Sequence, residues 1–165
     1  MRIAIISDTH LPRGSRRLPD ACLERIRAAD LLLHGGDVST AAVLDELAAI
    51  GPPLLGVHGN VDDAAVRARL PERRVVEAGA ARIGMVHDAG PAKGRLARMR
   101  GAFGDCAAVV FGHSHIPLRE RDERGFQIFN PGSPTDRRRQ PRHSMGEARV
   151  DREGAIKFEI VHLEI

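Results

Sequence analysis

The chain holds 165 residues with a formal net charge of +3; it is 42% hydrophobic and 28% charged, with two cysteines and no Trp or Tyr. That length suits one domain, since domains commonly hold ~100 to 150 residues, and residues 1–165 are read as a single one. The composition argues against a disordered chain and a disulfide framework, and 3% aromatics leave little for the stacking platforms that hold single-stranded nucleic acid.

Residues 2–6, RIAII, read as a strand that runs at once into Ser7, Asp8 and His10 instead of a basic leader. No stretch approaches the ~18 apolar residues of a membrane span, so a cytoplasmic protein is expected. Residues 18–29 have helical spacing, with Pro19 suited to a first turn, and 31–33 form a second strand. Ser39 stands where it can cap a helix reaching about Ile50, which Gly51, Pro52 and Pro53 stop. Residues 54–57 are a third strand, and Asp62 or Asp63 can cap a short helix ending near Pro71. Two strands, 74–77 and 82–86, flank a turn at Gly79, and 93–103 are basic and helical. Residues 107–111, AAVVF, are a continuous apolar run of the kind covered on both faces of a sheet. From Leu118 onward, alternation around Gly125 and Gly154 reads as two antiparallel hairpins. The order predicts layers of mixed sheet flanked by helices, with the parallel strands ending on one side.

Each apolar run ends in Asp, Asn or His. RIAII runs into SDTH, LLL into HGGD, LLGV into HGN, RIGMV into HD and AAVVF into GHSH. Ligands of open α/β sheets bind outside the carboxyl ends of the strands, so five such endings point to one shared site. Carboxylates, imidazoles and a neutral amide without thiolate suit Mn2+, Fe2+, Ni2+ or Zn2+ in a mixed N/O site, not a structural zinc cage. The set exceeds what one tetrahedral ion needs and suffices for two ions sharing a carboxylate.

Asp8-Thr9-His10, Gly36-Asp37, Gly59-Asn60, His87, Gly112-His113-Ser114-His115 and Asn130-Pro131-Gly132-Ser133 stand in order between residues 8 and 133. Together they resemble the motifs of the calcineurin-like metallophosphoesterases, in particular their small bacterial and archaeal phosphodiesterase branch. The resemblance implies a four-layer α/β/β/α sandwich of two mixed sheets flanked by helices. It implies two divalent metal ions, one held by Asp8, His10 and His115 and one by Asn60, His87 and His113, with Asp37 bridging. Manganese is the expected metal, with Ni, Fe and Zn as alternatives. The implied reaction is hydrolysis of phosphate esters, phosphodiesters foremost, by a metal-bridging hydroxide, with Asp37, Asn60 and His87 as catalytic residues. A subunit of an endosomal coat complex has a similar fold but an incomplete metal site and binds protein partners. A non-catalytic metal-binding scaffold is therefore the alternative, and the filled ligand positions favour the enzyme.

Two positions depart from the pattern. Val61 stands where many relatives carry a His that protonates the leaving group, and His87-Asp88-Ala89 replaces the His-Gly-His common in the branch. Leaving-group protonation is thus unassigned, with Asp62, Asp88 and His58 as candidates. Taken singly, Asp8, Asp37 and Asn60 would read as caps or turn residues, His34 and His58 as strand-end hydrogen-bonding groups, and His143 and His162 as surface. Arg13, Arg16, Arg17 and the run 137–139 would read as solvated loops. Arg13, which follows the first motif, is nevertheless expected with Asn60 to contact substrate phosphate, for which guanidinium offers bidentate geometry. The expected partner is a small phosphate ester, with a homodimer as the assembly and neither membrane nor nucleic acid involved.

Overall fold

The computed structural model describes residues 1–164. Its first elements are β1 (Arg2–Ile6), α1 (Asp20–Arg27), β2 (Leu31–His34), α2 (Ala41–Ala48), β3 (Leu54–Gly56) and α3 (Ala64–Arg69). Next come β4 (Arg73–Ala78), β5 (Ala81–Val86), α4 (Arg95–Ala102) and β6 (Ala108–Val110). Two hairpins finish the chain, β7 (Leu118–Arg121) with β8 (Gln127–Asn130) and β9 (His143–Val150) with β10 (Ile156–Leu163).

The strands form two five-stranded sheets, in the orders β10-β9-β1-β2-β3 and β4-β5-β6-β8-β7. Within the first, β1, β2 and β3 are parallel and β9 runs against β1. Within the second, β5, β6 and β8 are parallel and the edge strands β4 and β7 run against them.

Alternation along each strand decides which layer a side chain joins. On β1, Ile3 and Ile5 enter the core between the sheets, while Ala4 and Ile6 face the helices. Leu31 and Leu33, Ile83 and Met85, and Ala108 and Val110 fill the same inner core. Phe129 and Phe158 stack across it with centroids 4.7 Å apart. On the outer face of the first sheet, α1, α2 and α3 set Ile26, Leu44, Leu47 and Val66. On the outer face of the second, α4 and the turn after it lay Met99 and Phe103 against Val109 and Ile128. Helices, sheet, sheet and helix are thus the four layers of an α/β/β/α sandwich. Among the described residues no helix is long and apolar enough to cross a membrane.

Two caps differ from or narrow the expectation. Thr40, not Ser39, caps α2, accepting from the Val43 amide at 3.4 Å. Ser39 is held instead in a positive-φ conformation, with its own amide 2.6 Å from Asp62 Oδ1. Of the two candidates before α3, Asp63 is the cap and accepts from the Val66 amide at 2.9 Å.

Candidate metal centre

The residues that follow β1, β2, β3, β5 and β6 meet at one edge of the sandwich. They supply Asp8 and His10, Asp37, Asn60, His87, and His113 with His115. Among the described residues seven non-glycine residues take positive φ, and five of them belong to this set: Asp8 (56°), His10 (45°), Asp37 (60°), His113 (67°) and His115 (60°). Each such residue costs roughly 1–3 kcal/mol and persists only where its surroundings enforce it. Backbone bonds between the loops provide that enforcement. The Asp8 amide donates to Gly36 O at 2.9 Å, the His10 amide to Asp37 O at 3.1 Å, and the Gly112 amide to His87 O at 2.9 Å.

The side chains converge in two halves. In one, His10 Nε2 lies 3.2 Å from His115 Nε2, and Asp8 Oδ1 lies 3.9 Å and 3.5 Å from these two nitrogens. In the other, Asn60 Oδ1 lies 3.1 Å from both His87 Nε2 and His113 Nδ1. Asp37 Oδ2 stands between the halves, 3.5 Å from His10 Nε2 and 3.2 Å from His87 Nε2. Each carboxylate is pinned through its other oxygen, since Asp37 Oδ1 accepts from the Val61 amide at 3.0 Å and Asp8 Oδ2 from Ser7 Oγ at 2.7 Å. The two histidines of GHSH turn to opposite halves, one toward Asn60 and the other toward Asp8.

The donor set fits divalent cations. Asp8 with His10 and His115, and Asp8 with Asp37 and His87, each bring ligand atoms within 4.8 Å of one another. Burial pushes the Asp8 carboxyl up to about 7, because enclosure removes the water that favours its charged form. Burial also opposes protonation of His87, yet its hydrogen bond to Asp37 and the charges of Asp8 and Asp37 outweigh burial and raise it to about 9. Asp37 is the counterpart: burial works against its charge, but the His87 hydrogen bond and charge bring it down to about 2. The cavity therefore draws positive charge.

Behind these donors, the structure gives roles that the sequence reading did not assign, His34 excepted. Asp62, considered above as a proton donor, is buried and accepts three backbone amides, those of Asp37 (3.1 Å), Ser39 (2.6 Å) and Gly59 (2.6 Å). It ties the Asp37 loop to the Asn60 loop. The NPGS turn braces the opposite side: Asn130 Nδ2 donates to Gly112 O at 3.0 Å, Ser133 Oγ to Asp8 O at 2.9 Å, and Thr135 Oγ1 to Thr9 O at 2.7 Å. Gly59 and Gly112 are required by close approach, because a Cβ on either would collide with the carboxylate of Asp37 or with Ser7 and Asp8. His34 is fully buried, accepts the Gly36 amide on Nδ1 at 3.1 Å, and is pushed by burial down to about 3. Its neutral ring then carries its proton on Nε2, which meets Thr9 Oγ1 at 3.1 Å.

The profile of the calcineurin-like phosphoesterase superfamily domain matches residues 1–153. The chain belongs to that family. It is 33% identical over 138 residues to the "Probable metallophosphoesterase" of Methanothermobacter thermautotrophicus, covering 82% of this chain and 78% of that one. Among solved structures, Entamoeba histolytica Vps29 complexed with Zn2+ shares the fold at a TM-score of 0.76 and 23% identity, over 98% of this chain and 99% of that one. An archaeal phosphodiesterase shares it at 0.73 and 17% identity, over 99% and 100%.

In this calcineurin-like phosphoesterase a cleft of about 250 Å³ opens beside the Asn60 half, lined by His58, Arg67, Glu72, Asp88 and His113 among others. Asp88 is exposed, with Oδ2 3.9 Å from His113 Nε2. His58 Nδ1 faces Gly59 O at 3.4 Å. Arg13 is exposed on the loop after β1. Arg16 comes nearer, with Nη1 3.4 Å from His10 O and 3.6 Å from Asp136 Oδ2. Burial, and after it the charge of Arg138, hold His115 down at about 4, so Arg138 is the member of the 137–139 run whose charge reaches the centre.

Proposed function

We propose that residues 1–165 act as one metallophosphoesterase domain that hydrolyses small phosphate esters, phosphodiesters foremost, in the cytoplasm with two divalent ions. Asp8, His10 and His115 hold one ion, Asn60, His87 and His113 the other, and Asp37 serves both; manganese is the first choice, with Ni, Fe and Zn as alternatives. The observation that carries this reading is the convergence of two buried carboxylates, four imidazoles and an amide oxygen on a strained, mutually hydrogen-bonded set of strand ends. Bound ions would supply Lewis-acid neutralisation of the phosphoryl oxygens and lower the pKa of an attacking water.

The protein's own groups do the rest. Asp37 Oδ1 is pinned by the Val61 amide, and Asp8 by Ser7 Oγ and by the His113 amide, which reaches both of its oxygens, so their geometry is set before substrate arrives. Asn60, a neutral donor, adds no charge that would repel a phosphate. Arg16 and Arg138, with Arg13 exposed on the loop after β1, supply positive charge for an anionic substrate. The cleft beside Asn60, lined by His58, Glu72 and Asp88 among others, receives the leaving group, and Val61, 46% exposed, follows Asn60 in the chain where a protonating His could stand.

Stripping the purified protein with a chelator, reloading it with each metal and screening phosphate mono- and diesters tests the proposal. Diester cleavage that tracks loading of the second ion is expected. Full loading without turnover on any ester would favour the alternative, a metal-binding scaffold that works through protein partners, as a member of the same fold.

A further inference from the structure

The loop that carries Asn60 is held from outside by a residue that no motif contains. We infer that Arg67 is a positioning residue that fixes Asn60 and thereby sets the affinity of the ion in the Asn60 half; this rests on the binuclear reading above. Arg67 lies on α3, just beyond the loop. Its guanidinium fork spans three backbone carbonyls of the turn: Nε donates to Asp62 O at 2.9 Å, and Nη2 to Gly59 O and Asn60 O at 3.1 Å each. On the other side of the same turn the Asp62 carboxylate gathers amides, including that of Gly59. A planar fork with several fixed donors suits this task, whereas a single ammonium can satisfy only part of it.

Two features make the clamp matter for metal rather than for stability alone. Asn60 offers only an amide oxygen, a weaker donor than the carboxylates and imidazoles of the set, and it is exposed, so packing does not hold that oxygen in place. What keeps that oxygen 3.1 Å from His87 Nε2 and His113 Nδ1 is the backbone that Arg67 and Asp62 grip. The buried half depends on this arrangement less: Asp8 and His10 are braced by the Gly36 loop and the NPGS turn and His115 by Asp136 O, and the clamped turn reaches that half only through Asp37, by the Val61 amide and the Asp62 carboxylate. Removing Arg67 should therefore loosen the ion of the Asn60 half far more than the other. Loss of groups that orient a ligand commonly costs roughly 10- to 100-fold in metal affinity.

The test is calorimetric titration of the chelator-stripped protein with Mn2+, comparing wild type with Arg67→Ala, Arg67→Lys and Arg69→Ala. Arg69 lies on the same helix and makes a surface ion pair with Asp45 at 2.8 Å, so its variant reports generic damage to α3. The expected result is two binding steps in wild type and in Arg69→Ala, with the weaker step weakened by roughly 10- to 100-fold in Arg67→Ala, the tighter step changed far less, and both changes smaller in Arg67→Lys. Millimolar guanidinium should restore part of the loss in Arg67→Ala and change nothing in wild type. Should Arg67→Ala fail to fold, Arg67→Lys carries the comparison alone. Equal weakening of both steps, unchanged steps, or no rescue by guanidinium would overturn the role given to Arg67. A wild-type protein with one binding step would overturn the binuclear reading itself, a distinct failure.

Discussion

The two halves of the centre are built from the same kinds of side chain but sit in different surroundings. Asp8 and His115 have fully buried side chains and His10 is 14% exposed, whereas His113 is 46% exposed and Asn60 stands at the surface beside the cleft. The buried half has an anionic donor of its own and three strained ligands; the open half has a neutral amide held by its loop. With two ions bound as proposed, the difference teaches a division of labour: the enclosed half would be an anchor, and the open half would be where substrate meets metal and where chemistry is tuned.

The largest effect should come from Val61, which stands after Asn60 in place of a protonating His. A positioned general acid is worth typically ~10² to 10⁴ in rate and matters most for basic leaving groups. With Val61 and not a His after Asn60, kcat/KM across substituted phenyl and alkyl phosphodiesters should fall steeply as leaving-group pKa rises. Val61→His should raise turnover of the poor leaving groups and leave the good ones unchanged. A flat dependence that turns steep in Asp88→Asn would identify Asp88 as the acid and contradict this account.

Next in size is the residue that both halves share. Asp37→Asn should lower kcat/KM by well over tenfold at saturating metal, more than Asn60→Ala, because Asp37 Oδ2 lies near His10 and His87 alike while Asn60 touches one half. A tenfold change is only ~1.4 kcal/mol, so an Asp37→Asn enzyme within that range would remove Asp37 from its bridging position.

How far the sequence disclosed this arrangement depends on how local each signal is. Strand alternation and the donors at strand ends are local, so Ile3, Ile5, Asp8, His113 and their like could be placed without coordinates. The fastening is not local. Asp62 reaches Asp37 across 25 residues, and Ser133 and Thr135 reach Asp8 and Thr9 across 125 and 126. Nothing in a short window distinguishes such an Asp or Ser from an ordinary turn residue. Ser39 shows the same limit in miniature: a cap by type, it is drawn out of that role by its bond to Asp62. Arg67 resembled any helix-surface arginine until the carbonyls it faces were known.

The smallest expected effect concerns pH and the protein without metal. His87 is raised from 6.5 to about 9 in the fold, so the folded state binds its proton more tightly than the unfolded chain does. That contribution is present in full below pH 6.5 and is lost as pH rises through 9. In chelator the melting midpoint should therefore fall between these values, whereas with Mn2+ it should hold or rise, since ligands bind metal deprotonated. Parallel curves with and without metal would argue against His87 as a ligand.

The most direct measurement is anomalous scattering at the manganese edge from crystals supplied with Mn2+, before and after a brief chelator soak. The account predicts two peaks roughly 3.5 to 4 Å apart, one against Asp8, His10 and His115 and one against Asn60, His87 and His113, with the second fading first. A single peak at full metal supply, with His87 and His113 turned away from it, would contradict the binuclear centre.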